Sequence, residues 1–137
     1  MSESNQPPEP RPGLIARWTN KFRYAFRGIG FAVKTENSFA VHIPGAILVM
    51  LFAWWLQCSR LECSVLVLCI GIVFVAELFN TAIERLARAI TLDELPEIGR
   101  ALDIASGAVL AASLTSIVIG IAIFLPPISR YLSQLSL

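Results

Sequence analysis

Charged side chains are scarce in this sequence. They make up 15% of its 137 residues, whereas hydrophobic residues make up 55% and the mean hydropathy is +0.67. A soluble domain of ordinary composition carries about 25% charged residues. The low charge content excludes a typical soluble domain and predicts a membrane protein.

Ligands for a soft metal are also few. The chain has one His and three Cys, and none of them recurs at the spacing of a zinc site. We interpret Cys58, Cys63 and Cys69 as apolar fillers or free thiols, although Cys58 and Cys63 could pair in the link between two predicted spans. His42 is more typical of a polar group with a hydrogen-bond partner than of a ligand.

Familiar motifs for phosphate binding and proteolysis are absent. The sequence contains no Gly-x-x-x-x-Gly-Lys-Ser/Thr loop, no Gly-x-Gly-x-x-Gly turn and no His-Glu-x-x-His pair. The common nucleotide-binding and protease folds are therefore excluded.

What the chain does contain is three long apolar runs. A helix needs about 20 residues to cross the hydrocarbon core. The runs predict transmembrane helices over about residues 39–56, 63–88 and 100–125, and Pro126-Pro127 is expected to end the third. The predicted fold class is an all-α membrane protein.

The distribution of positive charge orients the spans. Six cations precede the first span and three lie around the link between the second and third, whereas the link between the first and second holds one. By the positive-inside rule we expect the amino terminus and the second link to be cytoplasmic and the carboxyl terminus to be outside.

The amino-terminal region divides into two parts. Residues 1–12 hold four of the eight prolines and few apolar side chains, which predicts a disordered tail. Over about residues 13–33, apolar residues recur every three or four positions with cations between them, which predicts an amphipathic surface helix. These cations could serve anchoring alone. Residues 13–137 form the predicted membrane domain.

Three polar residues end the second apolar run in the pattern Glu77-x-x-Asn80-x-x-x-Glu84. Positions i, i+3 and i+7 of an α-helix lie within about 60° of one another, so the three groups share one face. A carboxylate at the bilayer midplane costs about 2.5 to 3.5 kcal/mol, which favours a functional role. Two carboxylates with an amide between them suit a divalent cation.

Acidic residues on the other two spans complete a candidate site. Glu36 precedes the first span and Asp103 lies on the third, both near the cytoplasmic surface. Four carboxylates and one amide suit Mg²⁺ bound together with substrate phosphates. Glu36 and Glu84 are candidate metal ligands, Arg17 a candidate phosphate contact and Glu77 a candidate general base.

Other readings of these acids stay open at this point. Buried polar residues could equally line an ion path. Glu36 could act only at the positive end of the following helix, and Asp103 could simply be solvated at the membrane edge.

The motifs resemble the prokaryotic-type diacylglycerol kinase family, from about Ala16 to Pro127. The sequence near Phe22 and at the end of the third span is more similar to the undecaprenol kinase branch than to the proteobacterial diacylglycerol kinases. The segments that carry the resemblance are Phe22-Arg-Tyr-Ala-Phe-Arg-Gly28, Lys34-Thr-Glu-Asn-Ser-Phe39 with His42, Glu77-Leu-Phe-Asn-Thr-Ala-Ile-Glu84 and Asp103-Ile-Ala-Ser-Gly-Ala-Val109.

The resemblance implies a homotrimer in the bacterial cytoplasmic membrane, with active sites at subunit contacts. It implies MgATP-dependent phosphorylation of a lipid alcohol, either diacylglycerol or undecaprenol, with no nucleic-acid partner. Glu77 would be the base and Glu36 and Glu84 the metal ligands. The nucleotide or phosphate contacts would be Asn80, Arg17 and Asp103. A non-catalytic lipid-binding or assembly member is the alternative.

The chain departs from the family pattern at two positions. Leu102 stands where relatives commonly have Lys before the aspartate, and Arg88 stands where they often have an acid. Arg88 or Arg100 could supply the missing positive charge, because arginine binds phosphate bidentately. Arg100 is therefore included among the candidate nucleotide contacts.

Overall fold

The described residues are all helical outside their short links. The computed structural model describes residues 13–90, 93 and 95–135. Within them, four helices follow in order: α1 Leu14–Thr35, α2 Asn37–Trp55, α3 Arg60–Ile90 and α4 Pro96–Leu135. The predicted disordered tail, residues 1–12, lies outside the described residues.

The chain divides into two compact units, Met1–Phe31 and Ala32–Leu137. In the first unit, the described residues form the main part of α1, close to the predicted helix over 13–33. Trp18 and Phe22 lie one turn apart with ring centroids 6.3 Å apart, and Lys21 lies 4.9 Å from the Trp18 ring centre. The location of α1 at a membrane surface stays a prediction.

The second unit holds α2, α3 and α4, which are each long and apolar enough to cross a membrane. Helix α3 contacts both α2 and α4. Its buried residues recur every three or four positions and so form one stripe along the helix. They are Leu66, Cys69, Val73, Glu77 and Thr81. Two polar residues therefore belong to an otherwise apolar contact surface.

Aromatic rings join the helices of the second unit at both of its ends. Phe39 of α2 is almost fully buried and meets Phe74 of α3 edge-on, with ring centroids 5.9 Å apart. At the other end, Phe52 of α2 meets Phe124 of α4 edge-on at 5.0 Å. Such edge-to-face pairs add about 0.5–1.5 kcal/mol each beyond the buried area.

The last helix extends beyond the end that the sequence predicts. Pro126 and Pro127 lie inside α4, so the prediction of a helix end after residues 100–125 was wrong. Each proline removes a backbone donor. In the turn that follows, Ser129 Oγ and Arg130 Nε donate hydrogen bonds to the Pro126 carbonyl at 2.9 and 3.3 Å.

Helices α1 and α2 are separated by a single extended residue, Glu36, with φ −105° and ψ 122°. Its backbone N–H still donates to the Ala32 carbonyl at 2.9 Å, and its own carbonyl accepts from the Phe39 N–H at 3.3 Å. The Glu36 side chain makes no capping hydrogen bond with α2. The carboxylate is consequently available to side chains of other helices.

Candidate active site

Glu77 lies on α3 with 5% of its surface exposed. Two side chains from the first turns of α2 hold its carboxylate. Ser38 Oγ donates to Oε2 at 3.0 Å, and His42 Nε2 lies 2.9 Å from Oε1. Ser38 and His42 are four residues apart, so they share the face of α2 that meets α3. Both carboxylate oxygens thus have a partner, as burial in apolar surroundings requires.

Asn80 and Glu84 form a second polar group, one turn further along α3. Asn80 Nδ2 donates to Glu84 Oε1 at 2.8 Å, and Arg88 Nη2 donates to Glu84 Oε2 at 3.1 Å. Ser106 of α4 lies 3.4 Å from Asn80 Oδ1 and donates to it. The predicted polar face therefore splits, with Glu77 bonded to α2 and Asn80 bonded to α4.

Glu36 forms the third polar group with α3. Arg85 donates to Glu36 Oε1 from Nη2 at 2.7 Å and from Nε at 3.2 Å. The Arg85 hydrogen bond lowers the pKa of Glu36, against an opposing effect of desolvation and with help from the charges of Arg85 and Arg88. Arg88 acts on Glu36 electrostatically and bonds Glu84 directly, so both carboxylates lie near the same cation.

The donor set fits Mg²⁺ only in partnership with a substrate. Among residues 13–90, 93 and 95–135, no group of three or more His, Cys, Asp or Glu side chains could hold a metal. Glu36 and Glu84 offer carboxylate oxygen ligands, and their side chains are 18% and 28% exposed. Mg²⁺ commonly takes one or two protein carboxylates and completes its shell with waters and phosphates. Two accessible carboxylates meet that requirement.

The remaining predicted residues are exposed. Asp103 lies on the surface of α4, three residues before Ser106 and therefore close to the face that reaches Asn80. Arg100 pairs with Glu97 across one turn of α4, with 66% of its side chain exposed. Arg17 is exposed on the first unit. Within the described part of the second unit, neither Asp103 nor Arg100 bonds with Glu77, Asn80 or Glu84.

A cavity of about 480 Å³ lies next to the Glu84–Arg88 pair. Arg88 from α3 and Leu102 from α4 both line it, together with Asp93 and Gly99. The two departures from the family pattern therefore meet at one cavity. A positive charge is present in its wall even though position 102 is apolar.

The sequence model of the prokaryotic diacylglycerol kinase family matches residues 23–124. The chain belongs to this family. Undecaprenol kinase of Bacillus subtilis is 37% identical over 112 residues, which cover 82% of this chain and 91% of that protein. Diacylglycerol kinase of Synechocystis sp. is 32% identical over 108 residues, which cover 78% of this chain and 62% of that protein.

As a member of the prokaryotic diacylglycerol kinase family, the chain is a lipid kinase of the inner membrane. The resemblance inferred from its motifs is confirmed. The matched segment includes Glu36, Glu77, Asn80, Glu84 and Asp103 but begins after Arg17. The site residues Glu36, Glu77, Asn80 and Glu84 and the side chains that bond them therefore all lie within the matched segment.

Sequence reasoning missed four side chains that bond the predicted residues. They are Ser38, His42, Arg85 and Ser106. The i, i+4 spacing of Ser38 and His42 was a usable signal for a polar face on α2, since His42 could satisfy a buried acid. The pairing of Arg85 with Glu36 spans 49 residues, and nothing local in the sequence indicates it.

Proposed function

We propose that this lipid kinase transfers the γ-phosphoryl group of MgATP to undecaprenol at the cytoplasmic face of the membrane. The observation that carries the proposal is the buried Glu77 carboxylate held by Ser38 and His42 beside an apolar cavity. The identity to undecaprenol kinase and its coverage support this acceptor. Diacylglycerol is the second candidate, on the evidence of the cyanobacterial relative.

The apolar cavity supplies a place for the acceptor chain. It has a volume of about 460 Å³ and is lined by residues of α2, α3 and α4, from His42 at one end to Phe124 at the other. His42 both lines this cavity and contacts Glu77. An acceptor chain in the cavity would present its hydroxyl to the carboxylate, which is the positioning that general-base catalysis requires.

Phosphoryl transfer then needs a base that accepts the proton of the lipid hydroxyl, and positive charge that neutralises the phosphates of ATP. The acceptor oxygen forms a bond to the γ-phosphorus, the bond from that phosphorus to the bridging oxygen breaks, and ADP leaves. Glu77 takes the hydroxyl proton, while Ser38 and His42 hold its carboxylate in place. Glu36 and Glu84 would hold Mg²⁺, which when bound neutralises phosphate charge.

The nucleotide end of the proposed site is assembled from several surfaces. Asn80 lies next to Glu84, and Asp103 lies one turn from Ser106. We place both at the nucleotide, with Arg17 and Arg100 as phosphate contacts. The homotrimer implied by the resemblance would bring such exposed residues to the site of a neighbouring subunit.

A direct assay tests the proposal. The purified chain, reconstituted in neutral lipid, receives labelled ATP, Mg²⁺ and either undecaprenol or diacylglycerol. We expect label in undecaprenyl phosphate, with a higher kcat/KM than for diacylglycerol, and loss of transfer when EDTA removes the metal. Preferred labelling of diacylglycerol would overturn the acceptor, and transfer to neither lipid would overturn the proposed function.

A further inference from the structure

The opposite end of the second unit carries a separate polar cavity. Its volume is about 460 Å³, and it lies between the end of α2, the turn that follows and the last turns of α4. Trp55 lies 13 residues beyond His42 on the same helix, which corresponds to about 20 Å of helix axis. This cavity is therefore distinct from the candidate active site. Its lining residues are Trp55, Leu56, Gln57, Pro127, Arg130, Tyr131 and Gln134.

Arg130 supplies the positive charge in this cavity. Its Nε donates to the Pro126 carbonyl at 3.3 Å, which fixes the base of the guanidinium. Among the described residues, no carboxylate oxygen lies within 4.0 Å of its nitrogens. Glu62 interacts with it electrostatically over a longer distance, and that carboxylate accepts the Ser59 N–H at 2.6 Å. The two terminal nitrogens are thus available for a bidentate anion.

The walls of the cavity carry aromatic rings that are suited to a membrane interface. Trp55 and Tyr131 meet edge-on at 5.7 Å, and Phe52 meets Trp55 at 5.6 Å. Indole and phenol rings favour the depth of the lipid headgroups. An anion bound by Arg130 at this depth would belong to a lipid headgroup, whose acyl chains could follow the apolar surface of the spans.

Gln57 adds a second, independent observation. Its φ is 53°, in the left-handed region where glycine is favoured. Glycine commonly ends a helix in this conformation, and another residue there carries a steric cost. The turn is nonetheless firmly bonded, since the Gln57 N–H donates to Trp54 and the Cys58 N–H to Ala53. The Gln57 side chain at this strained position lines the same cavity as Arg130.

We propose that this cavity binds the phosphodiester headgroup of an anionic phospholipid in the leaflet opposite the kinase site. Arg130 binds the phosphate, and the amides of Gln57 and Gln134 donate hydrogen bonds to headgroup oxygens. The rings of Trp55 and Tyr131 keep the cavity at the depth of the lipid headgroups. Arg130 lies beyond residues 23–124, so the cation of this site is outside the segment matched by the family.

Lipid retention by the purified full chain tests the site without ATP or acceptor. The chain in neutral detergent is mixed with equal amounts of phosphatidylglycerol and phosphatidylcholine, and bound lipid is counted by native mass spectrometry. We expect preferential retention of phosphatidylglycerol and a loss of that preference of about fivefold to tenfold in Arg130→Gln. Arg130→Lys keeps the positive charge but not the bidentate geometry of the guanidinium. We expect it to lose an intermediate part of the preference for phosphatidylglycerol.

Arg60→Gln is the matched control, because Arg60 begins α3 at the same end but does not line the cavity. It should change retention less than twofold, a limit set by the weakness of exposed charges. Gln57→Gly should weaken retention while preserving or raising thermal stability. Equal loss in the Arg60 and Arg130 variants, or no preference in the wild-type chain, would overturn the proposal. Full competition by inorganic phosphate would overturn the assignment to a lipid headgroup.

Discussion

The two ends of the second unit differ in whether their charged side chains have bonded partners. At the end with Glu77, each of three carboxylates has donor partners within 3.3 Å, from Ser38 and His42, from Asn80 and Arg88, or from Arg85. At the end with Arg130, a cation has no carboxylate within 4.0 Å among the described residues. Glu36, Glu77 and Glu84 at the first end are thus held by hydrogen bonds, whereas the Arg130 guanidinium at the second end forms no ion pair among the described residues.

The difference within the acidic end is equally informative. Glu77 is buried and its described partners are Ser38 and His42, whereas Glu36 and Glu84 pair with arginines and remain partly exposed. A base that receives a proton benefits from partners that orient it without a fixed positive charge. Metal ligands benefit from accessibility and from staying ionised. The surroundings of the three carboxylates therefore suit Glu77 to the proposed role of base, and Glu36 and Glu84 to the proposed role of metal ligands.

Glu77→Gln should produce the largest effect. The substitution keeps the size of the side chain and can keep its bond with Ser38, but it removes the proton acceptor. We expect the turnover of lipid phosphorylation to fall about 10²- to 10⁴-fold, with little change in thermal stability, as measured by labelled-ATP transfer and by a melting curve.

Glu62→Gln is its matched control, because Glu62 lies in the first turn of the same helix, at the opposite end. It should retain most of the turnover. If Glu77→Gln turned over as fast as the wild type, Glu77 would be reassigned from catalysis to helix packing.

Glu36→Gln and Glu84→Gln should mainly change the dependence on Mg²⁺. Each variant removes one of the two accessible carboxylates. We expect the Mg²⁺ concentration for half-maximal turnover to rise about tenfold or more, with partial recovery of rate at high Mg²⁺. A titration of turnover against Mg²⁺ checks this. A lower rate that no amount of Mg²⁺ restores would contradict the assignment as metal ligands.

The apolar runs were sufficient to predict the three long helices, because span length and hydropathy are local properties. The continuation of α4 past Pro126 and Pro127 was not predictable, since a proline removes a backbone donor and usually ends a helix. Similarly, the acids of the site were evident from their cost near hydrocarbon, but their partners depend on the register of one helix against another. The sequence contains no local signal for that register.

His42→Gln and Ser38→Ala should weaken catalysis less than loss of Glu77 itself. Each removes one of the two contacts that orient the carboxylate. We expect kcat to fall about threefold to tenfold in each, with KM for the acceptor changing less. Additive losses in the double variant would contradict joint positioning, because residues acting on one group are expected to couple.

Arg88→Gln should have a smaller effect, concentrated on the nucleotide. Arg88 lines the cavity that also contains Leu102, whereas Arg100 is bonded to Glu97 and does not line it. We expect KM for ATP to rise about threefold to fivefold in Arg88→Gln and less in Arg100→Gln. Steady-state kinetics against ATP measure both. Unchanged KM and turnover in both variants would show that neither replaces the missing positive charge.

Cys58 lies at the end of the second unit that holds Arg130, and its reactivity should show the smallest effect of those predicted for the two ends. Burial raises the pKa of its thiol, and the charges of Glu62 and Cys63 add to the effect. Because the thiolate is the reactive form, a raised pKa means less thiolate at a given pH and slower alkylation. In a variant whose only cysteine is Cys58, alkylation of the folded chain by iodoacetamide should be severalfold slower near pH 8 than in denatured chain. The difference should shrink as the pH rises, since the folded thiol then ionises as well. Equal rates at every pH would mean that Cys58 is as exposed to water in the folded chain as it is in the unfolded chain, and would contradict burial of this turn.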